Sequence, residues 1–285
     1  MKTTEKIFND WLESEETKKK NLSNVTIDNY RRTVKNIGFG ILNGQESIIK
    51  KLKSNYDNPN TLSSFLNMII ILREFNDKDT DKLIKLRNDM KKEIIQLRKE
   101  KLKEADKELP SLEEIKKEFE KLDGIQYIIN YLILNYGLRN KDLNLVYVDK
   151  LPEEKTQNYI TPIRGGLKLS INDYKTNKSY NEKVIKITDK EFSKKFKSMK
   201  YKDGDYIIAN KNNKPYGMSN FNNRVLKNTI FDLGEAKLFK IVIKDLIDSK
   251  NFERIAELSK TRGTDFTTIM SSYNIYNNGE KIENK

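Results

Sequence analysis

The feature that most constrains this chain is a change in the spacing of its apolar residues. Up to about residue 104 they recur every three or four positions, the period of helices. Between 145 and 188 they alternate, the period of strands, and after that the helical spacing returns. This pattern predicts a mainly α protein with a small antiparallel β-sheet. It also predicts two domains, a helical one over 1–105 and a second over 106–285 whose helices surround the sheet, with no regular strand–helix crossovers.

Within the first domain, "TEKIFNDWLES" puts Ile7, Phe8, Trp11 and Leu12 on one face. "LSNVTIDNYRRTVKNI" starts at a Ser23 or Thr26 cap and carries Ile27, Tyr30 and Val34, with Arg31 and Arg32 beside the stripe. "NTLSSFLNMIIILREF" aligns Leu62, Phe65, Leu66, Ile69 and Ile70 as a core helix. The long charged run from Asp81 offers only Ile94, Ile95, Leu97 and Leu102 in its second half, which reads as a solvated connector. Pro110 and Ser111 restart structure, and Ser111 with Glu114 forms a capping box. Further on, "NYITPI", "GLKLSINDY" and "NEKVIKIT" read as strands and "DYIIAN" as a short one. "DKEFSKKFKSM", "MSNFNNRVLKNTIFDL", "LFKIVIKDLIDS", "FERIAELSKTRG" and "DFTTIMSSYNIYN" read as helices.

One arginine stands out. In "YIINYLILNYGLRNKDLNL", Arg139 lies between a buried helix closed by Gly137 and the apolar "LVYV". A guanidinium held between two apolar segments is partly buried and needs an anion beside it. That anion is either a carboxylate of the protein, Asp142 or Asp149, or a phosphate.

Composition narrows the choice. The 285 residues hold 55 Lys and Arg against 42 Asp and Glu, a formal net charge of +13, which favours an anionic partner such as nucleic acid. An AT-rich coding style would produce part of this lysine excess by itself. Cysteine and histidine are absent, so disulfides, zinc sites of the usual kind, and Ser-His or Cys-His nucleophile pairs are excluded. No apolar run reaches membrane-spanning length, and the acidic, amphipathic start is unlike a signal peptide. The expectation is a soluble intracellular protein without cofactor, metal or membrane partner.

Several segments, in order, carry a resemblance to the tyrosine recombinase (phage integrase) family. "LSNVTIDNYRRTVKNI" is similar to a helix of that family's core-binding domain, and "LPSLEEIKKEFEKL" to the opening of its catalytic domain. "YGLRNKDLNL" resembles the box holding the first catalytic arginine, here Arg139. The family's hairpin lysine falls on Lys175, with Lys178 as the alternative. In "RGTDFTTIMSSY", Gly263 and Thr264 stand at the Gly-His box, and Tyr273 lies nine residues beyond Thr264, where the nucleophilic tyrosine belongs.

The resemblance implies a helical core-binding-like domain and a recombinase-like catalytic domain clamping duplex DNA, with possible homo-oligomers on the DNA. It implies that a tyrosine attacks a phosphodiester and forms a phosphotyrosyl link. Guanidinium groups hold the charged phosphorane, and a lysine protonates the leaving oxygen. On that basis Arg139 is the clamp, Lys175 the acid and Tyr273 the nucleophile, with Arg31, Arg32, Lys178, Lys240 and Arg262 as DNA contacts.

This sequence departs from the family pattern in the second box. Phe239 stands where the second arginine belongs and Ala236 where a histidine does, with Lys240 adjacent. Arg262 reads as solvent-facing, or as reaching the phosphate from another direction. Plainer readings exist for the other residues too. Tyr273 and Tyr276 would make an aromatic pair on a docking helix, Lys175 one surface lysine among many, and Arg31 and Arg32 solvated charges. The functional alternative is a catalytically inactive protein of this fold used for DNA packaging, virion structure or assembly.

Overall fold

The computed structural model describes residues 3–20, 22, 24–106, 109–174 and 182–273. It divides into two compact units, 1–106 and 107–285.

The first unit is helical: α1 Thr4–Glu13, α2 Glu15–Lys19, α3 Asn24–Ile37, α4 Gln45–Asn55, α5 Pro59–Glu74 and α6 Asp81–Asp106. Its core gathers Ile7, Phe8 and Trp11 of α1, Val34 of α3 and Leu62, Phe65, Leu66, Ile69 and Ile70 of α5, as their spacing predicts. Ser23 lies outside the described residues, and Thr26 sits inside α3 rather than capping it. Arg73, at the end of α5, is buried and acts as an internal staple. Its guanidinium donates to Ile41 O and Asn43 O at 2.7 Å each, and to Asp79 O at 2.9 and 3.0 Å. Late in α6, Ile94 is buried while Ile95 and Leu97 face solvent, and the Leu102 side chain lies outside the described residues.

The second unit opens with α7, Leu112–Phe119, whose capping box forms as expected: Glu114 N–H donates to Ser111 Oγ at 3.2 Å, and Ser111 N–H to Glu114 Oε2 at 2.7 Å. Next come α8 Gly124–Tyr136, β1 Leu145–Tyr147, β2 Asn158–Ile163, β3 Gly166–Ile171, β4 Lys183–Ile187 and α9 Lys190–Ser198. The helices α10 Met218–Leu226, α11 Gly234–Asp248, α12 Phe252–Arg262 and α13 Phe266–Tyr273 complete it. The core packs Ile160, Leu167, Leu169, Ile185 and Ile187 of the sheet against Ile128, Tyr131 and Leu132 of α8 and Phe192 and Phe196 of α9. A second cluster, Phe239, Ile243, Ile255, Leu258 and Ile269, binds α11, α12 and α13 together.

Three expectations are corrected. The sheet, in order β1-β2-β3-β4, is mixed and not purely antiparallel, because β1 pairs with β2 in parallel, Leu145 beside Asn158. Parallel neighbours need a connection that travels back along the sheet, and residues 148–157 supply it. "DYIIAN" is not a strand of its own. It lies along the other edge of β1, where Tyr147 N–H donates to Asp205 O and Ile207 N–H to Leu145 O. The helix expected over 218–233 ends at Leu226. Buried Asn130 of α8 holds the break open, donating to Asn228 O at 2.7 Å and accepting from Ile230 N–H at 3.0 Å.

Candidate functional site

Two helix ends meet in the second unit. α8 ends at Gly137, with φ +63°, and α12 ends at Gly263, with φ +63°. Both residues adopt the left-handed conformation that glycine accepts without strain. Gly137 has a second reason to lack a side chain, since a Cβ there would lie 2.6 Å from the Phe239 ring.

The arginine of each turn caps the other turn. Arg139 Nη1 donates to Arg262 O at 2.7 Å, and Arg262 Nη1 donates to Gly137 O at 2.7 Å. Arg139 Nη2 also donates to Thr264 Oγ1 at 2.5 Å, and Thr261 Oγ1 donates to Tyr136 O at 2.7 Å. The last carbonyls of a helix lack intrahelical partners and carry partial negative charge, so cations settle there.

Beneath this clasp lies Asp142, fully buried on the 3-10 turn Asn140–Leu143. Its Oδ2 accepts from Arg139 N–H at 3.2 Å and lies 3.6 Å from Lys183 Nζ, while its Oδ1 has no hydrogen-bond partner. Lys183, at the start of β4, has a 7% exposed side chain. Its ammonium lies 3.7 Å from the centre of the Tyr174 ring and donates to Arg262 O at 3.4 Å. Burial pushes the Asp142 carboxyl above its ordinary value against the pull of Lys183. Burial also pushes Lys183 down, against the pull of Asp142.

The second arginine position is occupied by an aromatic ring. Phe239 is 0% exposed, and the Arg262 guanidinium stacks on it at 4.0 Å. Arg262 is 6% exposed, so the expectation of a solvent-facing arginine is wrong. Its Nη2 lies 3.3 Å from Glu235 Oε1, and this carboxylate together with Gly137 O explains how the charge is buried. Lys240 is likewise buried in α11. Asp149 sits elsewhere, accepting from Tyr147 OH at 3.0 Å.

The remaining sequence candidates divide. Lys175 and Lys178 lie outside the described residues, but both flanks of their segment are at the site through Tyr174 and Lys183. The preceding flank is pinned by buried Asn158, which donates to Lys141 O and Asp173 O and accepts from Asn172 and Asp173 N–H. Tyr273 closes α13, its side chain outside the described residues, as is Tyr276. Arg31 and Arg32 are exposed on α3, and Arg31 pairs with Asp28 at 3.1 Å.

Sequence reasoning missed Lys183 and Glu235. A signal for Lys183 existed: it is in strand register with Ile185 and Ile187, so the alternation that buries them buries it as well.

The arrangement therefore places three cations, Arg139, Lys183 and Arg262, against two carboxylates, Asp142 and Glu235. Of the three cations Arg139 is half-buried and the other two are buried. Among the described residues no group of three or more carboxylates could hold a metal, and no helix is long and apolar enough to cross a membrane. Comparison with family models, with curated proteins and with solved structures gave no match.

Proposed function

We propose that this protein binds duplex DNA with a tyrosine-recombinase-like arrangement and cleaves strands poorly or not at all. The observation that carries the reading is the meeting of Arg139 with Arg262 and Thr264. These residues are separated by more than 120 positions and belong to the two segments that resemble the family's arginine box and Gly-His box. The formal charge of +13 supports an anionic partner.

The same geometry argues against efficient cleavage. A metal-free phosphoryl transfer of this kind needs guanidinium groups free to take up charge in the transition state. Phe239 supplies none, and the Arg262 guanidinium is held by Glu235 and Gly137 O. Losing one such group costs about 2.7–4 kcal/mol, a hundred- to thousandfold in rate. A role in packaging or assembly on DNA is the form of this reading in which no cleavage remains.

The test is a duplex-binding titration run beside a suicide substrate that traps covalent protein–DNA adducts. Binding without adduct is expected. An abundant adduct that Tyr273→Phe abolishes would make the protein an active recombinase, and absence of both binding and adduct overturns the reading.

A further inference from the structure

We propose that the outward face of α9 is a second nucleic-acid contact, where Lys190, Lys194 and Lys197 hold the phosphate backbone of a duplex. The choice of ligand rests on the duplex-binding reading above; the surface itself does not depend on the arginine turns.

The helix sorts its residues by face. Phe192 and Phe196 are buried, Phe192 against α8 with its ring 4.3 Å from that of Tyr131, and Phe196 against Tyr147 and Tyr201. Positions 190, 194 and 197 fall on the opposite side at helical spacing, and all three lysines are exposed. The inner lysine, Lys195, is well provided for. It donates to Leu122 O at 2.7 Å, lies 3.9 Å from Asp123 and 4.0 Å from Glu191, and covers the Tyr127 ring. The outer three have no carboxylate within 4 Å among the described residues. Asp189 and Glu191 flank Lys190 in sequence, but Asp189 accepts from Phe192 N–H at 2.7 Å and Glu191 lies 4.0 Å from Lys195.

Like charges three and four residues apart on a helix repel, so this face is disfavoured until an anion lies across it. The three lysines rise along the helix in steps of about 6 and 4.5 Å, comparable to the spacing of phosphates that recur on each strand roughly every 3.4 Å of duplex axis. Lysine is a point charge, which suits sequence-independent contact with phosphates. An anionic membrane fits less well, because a helix lying on a bilayer inserts an apolar face, and the phenylalanines of α9 are already in the core. The surface is also separate from the arginine turns. α9 packs on Tyr127 and Tyr131 of α8, about 15 and 9 Å along that helix from Gly137, and its lysine face lies on the side away from α8.

The test replaces Lys190, Lys194 and Lys197 together by alanine in the full chain and measures affinity for a random-sequence duplex between 50 and 200 mM salt. The slope of log affinity against log salt should shrink by about 2 to 3, since each phosphate contact contributes roughly 0.9. A control set, Lys150→Ala, Lys211→Ala and Lys227→Ala, removes the same charge from scattered exposed sites and should change the slope by less than about one contact's worth. The melting temperature of the α9 variant should stay unchanged, because alanine favours helix and the core side chains remain.

An unchanged slope with duplex binding intact overturns this inference alone, as does an equal loss from both sets of substitutions. Failure of the unmodified protein to bind duplex overturns the underlying reading as well. Binding to anionic vesicles that the α9 substitutions abolish, with the duplex slope unchanged, would assign the face to a membrane surface and overturn the proposal.

Discussion

Arg139 and Arg262 hold each other's helix ends: each guanidinium donates to a carbonyl of the other's turn, both at 2.7 Å. The two turns are thereby locked, and Arg262 gives its charge to the interior rather than to a ligand. Arg262→Ala should leave Glu235 and Gly137 O without their partner in a nearly closed site. Because the Glu235 side chain keeps some exposure, the expected cost is at the lower end for a broken buried pair, about 3 kcal/mol. Urea unfolding followed by circular dichroism measures it, and a cost below about 1 kcal/mol would show the clasp to be incidental.

Lys183 is the nearest cation to a fully buried carboxylate, so Lys183→Met should raise the Asp142 pKa further. A carboxyl whose folded pKa lies above its unfolded value contributes stability below the unfolded value, near pH 4, and that contribution is lost as pH rises through the folded pKa. The variant should therefore be weakest at neutral pH, by about 3–5 kcal/mol, and recover as the solution is made acidic. Melting temperatures between pH 4 and 8 check this. A deficit independent of pH would mean that Asp142 is not the group left exposed to the change.

Gly137→Ala meets two obstacles: the left-handed backbone costs about 1–2 kcal/mol, and the new methyl group would collide with Phe239. Phe239→Leu frees the space but not the backbone. The double variant should thus be more stable than the sum of the single losses implies, by roughly 1 kcal/mol or more. Strict additivity in thermal unfolding would place the collision elsewhere.

Much of the fold is legible wherever local pattern decides it. The stripes of α1 and α5, the Ser111–Glu114 box and the alternation of β2, β3 and β4 all follow from spacing and capping chemistry. What is hidden depends on partners distant in sequence. The parallel pairing of β1 is set by the route of 148–157, and the break after Leu226 by Asn130, about a hundred residues earlier. Phe231 and Asp232 take φ near +50°, which neither residue signals in advance. Arg262 looks like a surface charge until Glu235 and Gly137 are brought to it. Arg139 and Thr264, both singled out in the sequence, are hydrogen-bonded neighbours in the structure. The site was obscured at Lys183 because one lysine among many carries little signal unless its strand register is read.

The proposed binding of duplex DNA mainly through phosphate contacts is tested most directly by affinity for a duplex measured from 50 to 200 mM salt. If 6–10 phosphates are contacted, affinity should fall by about 10³–10⁵ across that range. An affinity that stays flat across the range, or no binding at 50 mM, would contradict the proposal.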